Sequence, residues 1–261
     1  MLTSAELGAC AELMDALAVR AMERIAAERP RAEQIGTKTN AADWVTETDL
    51  AVERFVREAI AERFPSHRIV GEEYGISGDD NAPATWLIDP VDGTTNYVHG
   101  LPWSSFSICV ADEVGPGAGL VADPYRGEVL SAVRGRGALL NGESTRCTDS
   151  TSLTGGIVLT EMSAQSVWKG MPELIEALAG VGCVIRLMGS NALSVSSVGA
   201  GRAVATVIGA FGAGDCLAGS LIAREAGARV LPDTPVEGRT MICVAPGVAD
   251  ELERIWPGGT G

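Results

Sequence analysis

The segment Asp89-Pro90-Val91-Asp92-Gly93-Thr94-Thr95-Asn96 holds the densest set of reactive groups in the chain and directly follows the apolar run Trp86-Leu87-Ile88. Pro90 fixes its own backbone angle and turns the chain, so the two flanking carboxylates can converge on one point. Hard oxygen donors at that spacing suit Mg2+ or Mn2+, with the Val91 carbonyl as an extra donor. Gly93 carries no side chain, and a helix beginning there points backbone N–H groups at a phosphate lying over the ions. Alone, an Asp-Pro-x-Asp stretch is more often a surface turn. Here it has company: Gly71-Glu72-Glu73 follows another short apolar run, and Lys38, Asp43, Thr46 and Asp49 form an upstream set.

The elements that must carry these residues are legible in the spacing. Residues 4 to 29 keep Leu7, Cys10, Leu13, Met14, Leu17, Ala21 and Ile25 at helical intervals and stop before Pro30, which predicts an amphipathic first helix. A second helix is expected from near Asp49, after Thr46 and Thr48, to Phe64-Pro65. Residues 68 to 70 and 85 to 88 are short apolar runs leading into acids, the pattern of strands that end at a site. From 105 to 133, β-rich text with turns at Gly115-Pro116-Gly117 and Tyr125-Arg126-Gly127 predicts an antiparallel meander. Beyond 157, strands at 157–160, 183–188, 203–208, 228–231 and 241–244 alternate with helices at about 170–179, 190–200, 215–226 and 247–255, giving layered α and β elements. Residues 1–150 form a half with the metal-binding motifs, and residues 151–261 complete the site. The two are expected to pack as one unit.

Length and composition agree. A chain of 261 residues with 46% hydrophobic content buries a large core. It contains no apolar stretch of about 18 residues, so no membrane partner is expected. Glu6, Glu12 and Asp15 stand where a secretory signal would place basic residues, which points to the cytoplasm. Its six cysteines are never two or three residues apart, so they read as buried thiols in a reducing compartment and not as a zinc or redox motif. A net charge of −14 without a Lys/Arg cluster argues against nucleic acid as a partner. If the substrate is itself anionic, so acidic a protein needs a cation to receive it.

Taken together, Lys38…Asp43-Trp44-Val45-Thr46-Glu47-Thr48-Asp49, Gly71-Glu72-Glu73, Asp89 to Asn96, Gly189-Ser190-Asn191-Ala192 and Asp215-Cys216-Leu217-Ala218-Gly219 resemble, in order, the motifs of the inositol monophosphatase superfamily. The resemblance implies a five-layer αβαβα sandwich of the inositol monophosphatase/fructose bisphosphatase type. It also implies a Mg2+-dependent, lithium-sensitive phosphomonoesterase, a homodimer, acting on a small phosphate ester. Glu72, Asp89 and the Val91 carbonyl would hold one ion, and Asp89, Asp92 and Asp215 a second, with a third, weaker ion leaning on Glu72. Thr94, bonded to Asp49, would orient and deprotonate the attacking water together with Glu72. The backbone at Gly93, Thr94 and Thr95 would cradle the phosphate, with Lys38, Ser190 and Asn191 also around the ligand. An orthophosphate monoester dianion repels hydroxide, so such chemistry needs cations on the phosphoryl oxygens.

Departures from the pattern bear on the substrate. Where inositol-cleaving relatives carry hydroxyl-binding Asp and Glu and a Trp before the last ligand, this chain has Val204, Ile208 and Gly214. Aliphatic groups there would leave polyol hydroxyls unpaired at roughly 1–3 kcal/mol each, which favours a substrate other than myo-inositol phosphate, with fewer hydroxyls. The small residues Gly212 to Gly214 predict a looser Asp215 loop and a weaker second ion. Asn191 reads either as a ligand contact or as a helix cap, and Arg186 either as a second anion contact or as a surface charge. His67 and His99 fall outside the motifs. Phe211-Gly212-Ala213-Gly214-Asp215 also looks like the anion-hole loop of ribokinase-type sugar kinases, with Asp215 as base, although the rest of that pattern is missing. A metal-binding homologue without catalysis is the remaining alternative.

Overall fold

The computed structural model describes residues 1–27, 30, 32–37, 44–162 and 167–257. Helix α1 (Ser4–Ala27) buries Leu7, Cys10, Met14, Leu17, Ala18, Ala21 and Ile25 along one face, as its periodicity predicts. A two-stranded ribbon, β1 (Ile35–Thr37) with β2 (Trp44–Thr46), leads into α2 (Glu47–Arg63). The strands β3 (Arg68–Gly71), β4 (Gly75–Ser77) and β5 (Thr85–Asp92) follow, and then the short helix α3 (Thr94–His99). The meander β6 (Ser105–Asp112), β7 (Gly115–Asp123), β8 (Glu128–Val133), β9 (Ala138–Leu140) and β10 (Glu143–Thr145) completes an eight-stranded sheet of order β10-β9-β8-β7-β6-β5-β3-β4.

The second half builds a five-stranded sheet. Its elements are β11 (Ile157–Thr160), α4 (Met171–Gly180), β12 (Val184–Leu187), α5 (Asn191–Gly199), β13 (Ala205–Ile208), α6 (Ala213–Glu225), β14 (Arg229–Leu231), β15 (Met241–Val244) and α7 (Ala249–Ile255), with strand order β12-β11-β13-β15-β14. The period-2 pleat sorts side chains between layers. On β6, Phe106, Ile108 and Val110 pack with α1 and α2, whereas Cys109 packs with α5 and α6. On β15, Met241 and Cys243 join the α5–α6 layer, whereas Ile242 and Val244 join α4 and α7. The layers therefore run α1/α2, large sheet, α5/α6, small sheet, α4/α7, which is the αβαβα sandwich. No helix among the described residues is long and apolar enough to cross a membrane.

Four expectations need correction. Helix α2 begins at Glu47, because Thr46 is the cap: its hydroxyl accepts from the Thr48 and Asp49 amides, and Asp49 reaches back to the Thr46 amide in a capping box. Cys147 is only half-buried, although all six cysteines are free thiols. Val204 and Ile208 do not form a ligand wall, because Val204 is buried in the α4–α7 layer and Ile208 in the α5–α6 layer. Finally, β5 runs past residue 88 to Asp92 and carries a register shift between Asp89 and Asp92. An irregularity there accommodates Pro90, which has no N–H to give to a ladder.

Candidate active site

Strands β3 and β5 are parallel, with Gly71 opposite Ile88, so Glu72 emerges beside Asp89. The Glu72 amide donates to the Ile88 carbonyl at 3.3 Å. Its loop is held from below by Glu53, a fully buried carboxylate that accepts from the Glu73 and Tyr74 amides at 2.6 and 3.0 Å and pairs with Arg57 at 2.7 Å. Glu53 was not singled out from the sequence, where it reads as one more charge on an amphipathic helix. A cavity of about 470 Å3 opens above these strand ends. Glu72, Asp89, Val91, Asp92, Gly93, Thr94, Thr95, Asn191 and Asp215 all border it.

Asp92 accepts from four donors. The Asn191 amide donates to Oδ1 at 3.1 Å and the Ala192 amide to Oδ2 at 2.9 Å, and the Ser190 and Ser105 hydroxyls also donate to Oδ2. Asp92 thus sits at the N-terminus of α5, where free amides and the helix dipole favour an anion. Ser190 is the N-cap of that helix, accepting from the Leu193 amide. It is buried and is not among the cavity-lining residues, so the ligand-facing position expected for it falls to its neighbour. Asn191 borders the cavity and donates from Nδ2 to Asp215 Oδ2 at 3.2 Å, which sets aside the reading of it as the helix cap.

Asp215 lies in the first turn of α6, whose cap Gly212 contributes no side-chain bond. The Phe211 ring is buried, and its backbone exchanges hydrogen bonds with Gly238 and Arg239, so the small residues that follow start from an anchored point. At the other end of the cavity, Thr94 donates to the Val91 carbonyl at 2.9 Å and approaches Asp49 Oδ1 at 3.4 Å. Asp49 Oδ2 is engaged in the α2 capping box. Helix α3 begins at Gly93 in the left-handed conformation (φ 87°) without a side-chain cap, so no side chain occupies its first amides. A Cβ at Gly93 would lie 2.7 Å from the Gly189 carbonyl oxygen, so only glycine allows this approach.

Burial and mutual repulsion dominate the electrostatics. Burial, then the Glu72 charge, pushes Asp89 well above the usual carboxylate range. Burial, then Asp215, pushes Asp92 up to about 8, against the opposing bonds from Ser190 and Ala192. Burial raises Asp49 to about 6. Among the described residues no group of three or more histidine, cysteine or acidic side chains is placed to hold a metal ion as it stands. The carboxylates border a shared space instead, and the donor set fits hard divalent cations in its chemistry: oxygen only, with Asp89 and Asp92 buried and opposed by neighbouring negative charge.

Glu161 was missed in the sequence. It follows β11, borders the cavity and is raised to about 6 by burial. The signal was present, since Ile157-Val158-Leu159-Thr160-Glu161 is another apolar run leading into an acid. Lys38 and Asp43 lie outside the described residues. Arg186 is an exposed surface charge and does not border the cavity. His67 accepts from Trp86 Nε1 at 3.0 Å, and His99 stands edge-on to Trp44; neither borders the cavity.

Residues 9–249 match the sequence model of the inositol monophosphatase family. The inositol-1-monophosphatase SuhB of Mycobacterium tuberculosis is 36% identical over 232 residues, covering 84% of this chain and 79% of that protein. The extragenic suppressor protein SuhB of Bartonella henselae superposes with a TM-score of 0.86 at 25% identity, over 96% of this chain and 99% of that one. An IMPase/NADP phosphatase complexed with Mg2+ and phosphate superposes with a TM-score of 0.82 at 21% identity, over 98% of each chain.

Proposed function

Because the chain belongs to the inositol monophosphatase family and is a phosphoric monoester hydrolase, we propose that it hydrolyses a small-molecule phosphate monoester using Mg2+ held by Glu72, Asp89, the Val91 carbonyl, Asp92 and Asp215. One observation carries this reading: four carboxylates from the end of β3, from β5 and from α6 border a single cavity, and burial with neighbouring negative charge opposes the ionisation of the two on β5, Asp89 and Asp92. Such an arrangement is costly without cations and stable with them. The Mg2+ and phosphate in the IMPase/NADP phosphatase of the same fold agree with it. Two to three ions per site, with Mn2+ as a substitute, are part of the proposal.

Bound divalent cations would supply Lewis-acid chemistry, neutralising phosphoryl charge and making water more acidic. The protein's own groups do the rest. The backbone amides of Gly93, Thr94 and Thr95, at the cap and first turn of α3, receive the phosphate. Thr94, between the Val91 carbonyl and Asp49, and Glu72 orient the attacking water and take its proton. Asn191 holds Asp215 and offers its amide to the leaving group. Membership in the phosphatase family removes the ribokinase reading of the Asp215 loop.

The substrate is proposed to be a small phosphate ester other than myo-inositol phosphate, a sugar, nucleotide or amino-alcohol phosphate among the candidates. The departure that supports this is Gly214 in place of a Trp before Asp215, because Val204 and Ile208 are buried in the layers. We also infer that residues 1–150 and 151–261 pack as one unit and that the protein is a homodimer, located in the cytoplasm and inhibited by lithium; sedimentation, fractionation and a lithium titration test the last three points separately. The function itself is tested by phosphate release from a panel of esters with and without Mg2+. Asp92→Asn should lower turnover by a factor of about 1,000 or more in a folded protein, by loss of charge at the site. Metal-independent release, or substantial activity in Asp92→Asn, would overturn the reading.

A further inference from the structure

The Met188–Gly189 peptide group is held at both ends. Its carbonyl, that of Met188, accepts from Asn96 Nδ2 at 2.7 Å, and its N–H, that of Gly189, donates to Glu161 Oε2 at 2.6 Å. The Met188 amide donates to Glu161 Oε1 at 3.3 Å, and the Ser194 hydroxyl donates to the same oxygen at 2.5 Å. Strands β11 and β12 are parallel with Thr160 opposite Leu187, which brings Glu161 beside Met188 at the carboxyl ends of both strands. Open α/β sheets carry their ligand sites at that edge. The Glu161 backbone is fixed as well, its carbonyl accepting from Trp168 Nε1 at 3.0 Å.

Glu161 therefore closes residues 188 to 194 from both sides, before the α5 cap and inside the first turn of the helix. Between those two points lie the groups that hold Asp92, namely the Ser190 hydroxyl and the Asn191 and Ala192 amides. The same short segment carries Asn191 Nδ2, which donates to Asp215. Gly189 must keep its φ of +83°, and a Cβ there would lie 2.7 Å from Asn96 Nδ2, so the turn has little room to adjust. Three donors occupy the two Glu161 oxygens, which leaves this carboxylate little capacity to bind an ion itself.

We infer that Glu161 is a positioning residue for the reaction, a half-buried carboxylate clamp that fixes the Gly189-Ser190-Asn191 turn and, through it, the placement of Asp92 and Asp215. This rests on the reading of Asp92 and Asp215 as cation ligands. A carboxylate that orients ligands without touching the ion acts on metal affinity as well as on stability.

The test is phosphate release as a function of Mg2+ concentration for the wild type, Glu161→Ala, Glu161→Gln and Ser194→Ala, with thermal unfolding measured on each. Glu161→Ala is expected to raise the half-saturating Mg2+ concentration about tenfold to a hundredfold, the range for lost support behind metal ligands. Glu161→Gln is expected to lose less than Glu161→Ala, because its amide oxygen still accepts from Gly189 and its NH2 donates to Ser194 Oγ, while the weaker bond from the Met188 amide is lost. Ser194→Ala, which removes one bond only, should raise the half-saturating Mg2+ concentration by less than Glu161→Ala and serves if Glu161→Ala does not fold. A lowered melting temperature with an unchanged half-saturating Mg2+ concentration in Glu161→Ala, or in Ser194→Ala if that is the variant that folds, would overturn the inference. A wild type indifferent to Mg2+ would instead sink the reading of the cation ligands on which it rests, so the two failures are distinct.

Discussion

Ser190 donates its hydroxyl to Asp92 across ninety-eight residues of sequence, joining the cap of α5 in the second half of the chain to the end of β5 in the first. The bond serves both partners, since Ser190 caps the helix through the Leu193 amide while Asp92 gains a donor at a position where burial opposes its charge. Ser190→Ala should therefore lower stability by about 1–2 kcal/mol, the scale of a lost cap and hydrogen bond, and reduce turnover at subsaturating Mg2+. Urea denaturation and a Mg2+ titration check this. Unchanged values in both would mean that the contact is incidental.

Thr94 has one proton and two acceptors, Val91 O at 2.9 Å and Asp49 Oδ1 at 3.4 Å. If it orients the attacking water, Thr94→Ala should lower kcat about a hundredfold, the lower end of general-base effects, with the half-saturating Mg2+ concentration little changed. Thr94→Ser keeps the hydroxyl and should recover most of the rate. Equal loss in both variants would point to the methyl group, and hence to packing.

Chelated, metal-free protein should become less stable as pH rises from about 5 to 8. Burial raises Asp92 to about 8 and Asp49 and Glu161 to about 6, and burial with Glu72 raises Asp89 as well. In the unfolded chain these groups titrate near 4. The folded state therefore binds more protons across this window, and stability falls with pH by up to about 1.4 kcal/mol per unit per excess proton. Saturating Mg2+ should flatten or reverse the slope, because a cation replaces the protons. Denaturant midpoints at both pH values, with and without Mg2+, decide the point, and a chelated protein that gains stability toward pH 8 would contradict it.

Gly93→Ala places a Cβ 2.7 Å from one backbone oxygen and 3.0 Å from another, at a φ of +87°. Neither oxygen belongs to a flexible side chain, so the strain should cost about 1–3 kcal/mol and tilt the first amides of α3. Unfolding free energy and kcat/KM for any accepted ester should fall together. Unaltered kcat/KM would remove those amides from the site.

The sequence by itself determined the local chemistry. The acid that follows β3 at Glu72, the glycine start of α3 and the periodic faces of α1 and α2 all follow from short-range rules that neighbouring residues satisfy or break, whereas the run of β5 through Pro90 to Asp92 does not. Element order and layered class came with them, since alternating periods allow few architectures. Tertiary structure decided what depends on distant partners. Pleat parity buried Ile208 inside a layer, and capping assigned the start of α2 to Thr46 and that of α5 to Ser190. Glu53 and Glu161 became supports of the site only because folding brought backbone amides from other segments to their carboxylates. A buried charge is tolerated where donors converge on it, and that convergence is a property of three-dimensional packing, not of spacing along the chain.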